Sequence, residues 1–261
     1  MDSENTSQEP ANSLASANKD YRQQGFIDLK QRLRILMDNL AEVLSEEIDF
    51  TDSIPWREKQ VVQRPMDTAG MASMAQLQAV CFEILNIVEE RTATVVRQRR
   101  RRDFGVAAER GMWGSVIASL HEAGFTEDQV IEALKEIKVT PVLTAHPTEA
   151  KRHTVRERHL AIYKDLVRWD RSLDDPLSLS SVMSSIKVGL ETLWHTGEIH
   201  ASRPSILGEL RHTIYYLRDV FPSVVAKLDA SLEAAWVNVG WDVAELRKAS
   251  AYPKLQFGTW V

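Results

Sequence analysis

Ile137-Lys138-Val139-Thr140-Pro141-Val142-Leu143-Thr144-Ala145 is short, apolar and rich in β-branched residues, and no helical period runs through it. It reads as a β-strand. Pro141 brings no N–H, which indicates that the early part of the segment is not a central ladder position. His146-Pro147-Thr148-Glu149 follows at once. Pro147 suits a first helical turn, where the missing N–H would go unpaired anyway, and Thr148 and Glu149 are helix-start residues. His146 therefore stands in a strand-to-helix turn, at the C-terminal edge of a sheet or barrel, where α/β proteins build their sites. An ordinary pKa of about 6.5 lets such a histidine exchange protons near neutrality. Residue chemistry alone weighs a functional histidine and a plain turn histidine equally.

A strand needs a partner to satisfy its backbone groups. The other strand-like stretch is Lys254-Leu255-Gln256-Phe257-Gly258-Thr259-Trp260-Val261. The expected arrangement is two short parallel strands, near 139–145 and 254–260, lying side by side, with the helices between them as a long crossover. No polar tail follows Trp260-Val261, which indicates that further strands of a larger sheet or barrel are missing from this stretch of sequence.

Elsewhere the period is helical. Phe26, Leu29, Leu33, Leu36, Leu40 and Val43 recur at spacings of three and four and mark one face of an amphipathic helix. Past a loop with Pro55 and Pro65, a second helix carries Leu77, Val80, Cys81, Ile84, Leu85 and Val88 and runs on towards Val95 and Val96. Met112, Trp113, Val116, Ile117 and Leu120 define a third, ending near Gly124. Thr126-Glu127-Asp128-Gln129 has the pattern of a capping box and opens a fourth, through Leu134. Val155, His159, Ile162, Leu166 and Trp169 share a face of the next, which breaks at Asp174-Asp175-Pro176. Further helices are expected over about 180–200, 206–221 and 224–237, the last two separated by Pro222. Residues 1–20 are Ser, Asn, Ala and acid with little to bury, and are expected to form a disordered tail. Residues 21–261 then form one continuous portion. The fold class is mostly α, with two short strands.

The 261 residues contain 44% hydrophobic and 26% charged side chains, enough apolar material for a sizeable core. A net charge of −5 excludes a general attraction to nucleic acid or anionic membranes. Cys81, the single cysteine, rules out an intrachain disulfide and has apolar neighbours, so it reads as a buried, inert thiol. The N-terminus lacks the apolar core of a secretory signal. No uncharged apolar run approaches the roughly 18 residues of a membrane span. A cytoplasmic protein is expected. Arg97 and Arg99 to Arg102 form a dense basic run, read as a solvated helix end favoured by the helix dipole, with anion binding as the lesser alternative.

The chain has no GxGxxG, GxxxxGK, HExxH, paired CxxC or GxSxG pattern. His153, His159, His195, His200 and His212 match no common metal-site spacing and read as surface or packing residues. Thr144-Ala145-His146-Pro147-Thr148-Glu149, with Arg152 and Thr154 beyond, is a more specific string. It resembles the histidine signature of phosphoenolpyruvate carboxylases. Trp194-His195-Thr196-Gly197-Glu198-Ile199, then Arg203-Pro204 and Glu209-Leu210-Arg211, resembles the helix-linker-helix segment that follows the signature in that family. Phe257-Gly258-Thr259-Trp260-Val261 is similar to the strand that leads into the family's Gly-Gly-Asp-Arg-Asp-Gly loop. The likeness runs from about residue 25 to 261. Gly197 stands where the family commonly has Asp, His153 where it has Arg, and His200 and Ala201 at or near another Arg, which marks a divergent branch.

The resemblance implies the N-terminal portion of a helix-rich, α/β-barrel-containing enzyme. It also implies a reaction, the carboxylation of phosphoenolpyruvate by bicarbonate to oxaloacetate and phosphate with Mg²⁺ or Mn²⁺. Bicarbonate attacks the phosphoryl group, giving carboxyphosphate and the enolate of pyruvate. A base takes the carboxyphosphate proton, CO₂ leaves, and the enolate attacks it. His146 is the residue implied for that proton transfer. Thr148, Glu149 and Arg152 support the turn rather than touch substrate. The metal ligands and arginine-rich loops are expected outside this chain, so the chain alone is expected to be inactive and the longer protein a homo-oligomer. The alternative from another class is a non-catalytic helical interaction module.

Overall fold

The computed structural model describes residues 9–48, 67–143, 153–196 and 206–259. They form α1 (Glu9–Val43), α2 (Thr68–Phe104), a short 3₁₀ turn (Val106–Ala108), α3 (Trp113–Glu122), α4 (Glu127–Glu136), β1 (Lys138–Val139) and β2 (Val142–Leu143). Then come α5 (His153–Arg171), α6 (Pro176–Thr196), α7 (Ile206–Tyr215), a π-turn (Tyr216–Val220), α8 (Phe221–Asn238), α9 (Val243–Lys248), β3 (Lys254–Leu255) and β4 (Gly258–Thr259). The fold is mostly α with short parallel strands, as the periodicity indicates. The chain divides into two compact units, residues 1–96 with 151–200, and residues 97–150 with 201–261.

The first unit is built from α1, α2, α5 and α6. Its core joins Leu33, Leu36, Met37, Leu40 and Leu44 of the first helical segment to Leu77, Ile84 and Val88 of α2. Val155, Ile162, Leu166 and Trp169 of α5 complete it with Val182, Ile186, Leu190 and Leu193 of α6. Each fully buried side chain of this size contributes about 1.5–3 kcal/mol by leaving water. Cys81 is buried in this core as expected, and burial pushes its thiol up to about 12. Over an 18-residue window α2 is long and apolar enough to cross a membrane by length and composition, with a mean hydropathy of 1.4. The helix also carries buried Glu83 and Arg91, and its apolar residues line the core of the unit.

The buried face of α1 differs from the expected one at its N-terminal half. Phe26 is exposed, and the face continues instead through Gly25, Asp28 and Arg32. Gly25 is required there by a close approach, since a Cβ would lie 2.8 Å from the Val96 side chain. Arg32 donates from Nε (3.2 Å) and Nη2 (2.7 Å) to Oδ1 of Asp170 on α5. Arg91 of α2 donates from Nε to Oδ2 at 2.7 Å, with its Nη2 also at 2.7 Å. One carboxylate thereby holds two buried guanidinium groups and ties three helices. Helix α1 also begins at Glu9, so residues 9–20 are helical where a disordered tail was expected. Ala11, Leu14, Ala15 and Ala17 are good helix formers on a helix already nucleated further along. Residues 1–8 lie outside the described residues.

Other boundaries moved for local reasons. Helix α6 starts at Pro176 rather than near 180, because Asp175 accepts from the Leu177 N–H and the Ser178 hydroxyl, which also holds its carboxyl below the usual range. Pro222 does not separate a pair of helices. It sits in the first turn of α8, directly after the π-turn that interrupts the helical run. The short α9, missed by periodicity, is capped by Asp242 through the Ala244 N–H.

In the second unit, Ile117 of α3, Val130, Ile131 and Leu134 of α4, Leu232, Ala235 and Trp236 of α8, and Leu246 of α9 form the core. The capping box of α4 is present, with Thr126 and Gln129 bonded reciprocally. The indole of Trp236 donates to Glu127 at 2.7 Å, fixing α8 to the first turn of α4. At the end of the basic run, Arg100 donates to the Ala108 carbonyl and lies 3.5 Å from Glu109, so this portion of the run is a local helix-end device. Gly114 packs directly on the 3₁₀ turn, and a Cβ there would lie 2.1 Å from the Val106 carbonyl oxygen.

Two substitutions test these cores. Asp170→Ala leaves Arg32 and Arg91 buried without their shared carboxylate, and should lower stability by about 3–5 kcal/mol in urea denaturation. Gly114→Ala should cost about 3 kcal/mol, the upper end of the overpacking range, because backbone cannot swing aside. Wild-type midpoints for either variant would contradict these assignments.

Candidate functional site

The strands of the second unit meet in parallel. Lys138 faces Lys254, Val139 faces Leu255, Val142 faces Gly258 and Leu143 faces Thr259. The offset is 116 residues at every pair (254 − 138, 259 − 143), so the two short ladders are one strand pair in a single register. Backbone N–H groups of Lys254, Gln256 and Gly258 donate at 3.0 Å to the carbonyls of Ile137, Val139 and Pro141. In a parallel pair the return bond to the Gln256 carbonyl would come from the N–H of residue 141. Pro141 has none, and that absence splits the pair into two short ladders. The first strand still works there because it accepts, and acceptance needs only a carbonyl.

The second strand is delivered by a polar clamp. Glu233 on α8 accepts from Arg247 of α9 at 2.8 Å (Nε) and 2.6 Å (Nη2), and from the Tyr252 hydroxyl at 2.7 Å. Tyr252 lies two residues before β3. The guanidinium and phenol hydrogen bonds hold the Glu233 carboxyl down at about 2, while burial and the Glu233 bond push the Tyr252 phenol up. Further along, the Phe257 ring stacks on Phe221 at the start of α8, with centroids 4.1 Å apart and planes 9° from parallel.

Both strands run towards the same edge, where Leu143 and Thr259 are opposite each other. Residue 144 follows directly, so the segment that carries His146 emerges at that edge. His146, Thr148, Glu149 and Arg152 themselves lie outside the described residues, as does His200. Of the remaining histidines, His159 has Nε2 3.0 Å from Glu83 Oε2 without hydrogen-bond alignment, and His195 has Nε2 3.1 Å from Glu47 Oε1. His153 begins α5 and His212 lies within α7. Among the described residues no three His, Cys, Asp or Glu side chains gather to hold a metal ion. The Glu233 clamp and the Phe221–Phe257 stack escaped the sequence reading, because their partners are far apart and follow no motif.

A helix-rich chain with a parallel strand pair, whose exit edge leads into a Thr-Ala-His-Pro-Thr-Glu string, has the outline of an α/β enzyme segment. The sequence profile of phosphoenolpyruvate carboxylase matches residues 25–261, and the chain belongs to that family. It is 28% identical to the phosphoenolpyruvate carboxylase of Methylorubrum extorquens over 200 residues, covering 73% of this chain and 20% of that protein. Against the enzyme of Xanthomonas campestris it is 28% identical over 259 residues, covering 90% and 27% respectively. Against that of Xanthomonas oryzae it is 30% identical over 187 residues, covering 69% and 19%. The chain therefore spans about a fifth to a quarter of the length of these relatives.

The clamp predicts a pH signature. A carboxyl held at about 2 when folded, against an ordinary 4.5, contributes stability that is fully present above 4.5 and is lost as pH falls through 4.5 towards 2. The difference in urea midpoint between wild type and Glu233→Gln should be flat above about pH 5 and shrink below it. A difference that stays constant down to pH 2 would remove the clamp's electrostatic role. By contrast Gly258→Ala should be tolerated, since its Cβ would meet Val142 at an ordinary 3.5 Å.

Proposed function

We propose that the longer protein carrying this chain carboxylates phosphoenolpyruvate with bicarbonate, yielding oxaloacetate and phosphate, and that His146 performs the proton transfer from carboxyphosphate. Family membership over residues 25–261 carries this reading, because the matched span includes the histidine string. The parallel strand pair supports it, by launching that string from a C-terminal strand edge. Thr148, Glu149 and Arg152 hold the turn. CO₂ must meet the enolate before it diffuses away, so the position of the base matters as much as its pKa.

A divalent cation, Mg²⁺ or Mn²⁺, belongs to this proposal as the group that neutralises phosphoryl charge. The described residues offer no donor cluster for it, and its ligands are assigned to the region of the longer protein beyond this chain. A cytoplasmic location, a role in replenishing oxaloacetate for the tricarboxylic acid cycle and a homo-oligomeric assembly complete the reading. The isolated chain, lacking those charge stabilisers, is inactive.

One observation favours a second reading, a non-catalytic helical interaction module. Ile206, Leu210, Ile214, Leu217, Val224 and Leu228 are exposed along α7, the π-turn and α8 at spacings suited to helix docking.

Separate assays of oxaloacetate and pyruvate distinguish the two. The purified 261-residue chain should form neither. The longer protein should form oxaloacetate, and His146→Asn should reduce that by at least about 100-fold while leaving slow, bicarbonate-dependent release of pyruvate. Oxaloacetate from the isolated chain would overturn the inactivity of the fragment. Near-normal output from His146→Asn would overturn the role of His146, and a longer protein without carboxylase activity would leave the interaction module standing.

A further inference from the structure

Strand pairing is weakest at the level of Phe257. Pro141 opposite it supplies no N–H, so Gln256 loses the ladder bond its carbonyl would otherwise receive, and regular pairing resumes only at Gly258, which donates to the Pro141 carbonyl and pairs with Val142. The side chain at this level is the one stacked on Phe221. Phe221 reaches it because of the π-turn at Tyr216–Val220. At about 100° per residue, the eight residues from Thr213 to Phe221 would carry an uninterrupted α-helix about 80° away from the face on which Thr213 is buried. The one extra residue of a π-turn brings Phe221 back to within about 20° of that face. Leu232, in the core of the unit, is returned to the same face by the same insertion. The ring of Tyr216, in the turn, lies 6.0 Å from that of Phe221.

We infer that Phe221, set in phase by the π-turn, is a positioning residue for the strand edge from which the functional segments leave. It replaces with a ring stack the backbone bond that Pro141 removes, and so fixes Gly258-Thr259 against Val142-Leu143. This rests on the carboxylase reading for its catalytic consequence, but not for its structural one. The chemistry it serves is the capture of CO₂ by the enolate. A loosened edge lets CO₂ escape and the enolate take a proton instead, which releases pyruvate where oxaloacetate would have formed.

Two measurements test it, each on Phe221→Ala and Phe221→Tyr with Val237→Ala, an exposed residue of α8 outside the stack, as control. In the 261-residue chain, amide hydrogen exchange at Gln256 and Gly258 should quicken at least tenfold in Phe221→Ala. The amides of α4 and of α8 around Trp236 should keep their protection, and Phe221→Tyr should restore the wild-type pattern. Unchanged exchange at 256–258, or an equal loss of protection throughout the second unit, would overturn the inference. So would a Phe221→Ala chain that does not fold at all alongside a Phe221→Tyr chain with loosened strands. In the longer protein, Phe221→Ala should raise the ratio of pyruvate to oxaloacetate at least tenfold, with Phe221→Tyr and Val237→Ala near wild type. Both products falling together at a constant ratio would mark Phe221 as ordinary packing and overturn its positioning role. Should the wild-type longer protein make no oxaloacetate while the exchange arm comes out as stated, the carboxylase reading fails and the strand-positioning role stands.

Discussion

The parallel pairing of Lys138–Leu143 with Lys254–Thr259 constrains much else in the second unit. Parallel strands cannot be joined by a tight turn, and every ladder bond between them has to be repaid against the entropy of closing a long loop. An offset of 116 residues makes that cost worth meeting only if the connection folds on its own account. It does: α5 and α6 are buried in the core of the first unit, and α8 and α9 in that of the second. The strands are thus a consequence of the helical cores as much as a scaffold for them. Two strands of this length would be marginal in water without such support.

The two units reach their stability by different chemistry. In the first, a long apolar seam ends in a polar junction, where Asp170 serves Arg32 and Arg91 at once. Such a junction is expensive to desolvate and gives little net stability, but it strongly penalises any register in which a guanidinium loses its carboxylate. It acts as a register lock for α1, α2 and α5. The second unit has a smaller core, in which Trp236 both fills space and donates to Glu127. Its precision comes from the surface clamp at Glu233 and from aromatic stacking, both close to the strands.

What could be read from the sequence follows from which of these interactions are local. The α4 capping box, the helical faces around Ile84 and Ile162, the inert Cys81 and both strands depend on neighbours a few residues away, and all are legible. The apolar periodicity of α1 misled at Phe26, because the buried face there is polar: Asp28 and Arg32 carry no hydrophobic signal, and their partner Asp170 is 138 residues from Arg32. Pro222 reads as a break because proline usually is one, yet the helical run continues through it in the first turn of α8. The true discontinuity, the π-turn, consists of ordinary helix-compatible residues, Tyr216-Leu217-Arg218-Asp219-Val220. Of the candidate site, the strand that precedes the histidine string was legible in its β-branched run. The supports of that edge were not, since Phe221, Glu233 and Arg247 become its neighbours only once the helices pack.

Pro141 shows how these levels combine. In an isolated strand it would be a defect, for it removes a donor from the pair. Here the carbonyls of Ile137, Val139 and Pro141 all accept from the second strand, so at position 141 the first strand still supplies the acceptor that Gly258 needs. The missing return bond lowers the cooperativity of the ladder close to the edge where Leu143 and Thr259 pair. A strand left so loosely held by its backbone can be placed by side chains instead, through Tyr252 before it and Phe257 within it. Side-chain placement is adjustable by substitution in a way that backbone ladders are not, because a ring or a carboxylate can be changed without altering the register. A site assembled at such an edge can have its geometry tuned from α8 and α9, outside the histidine string itself.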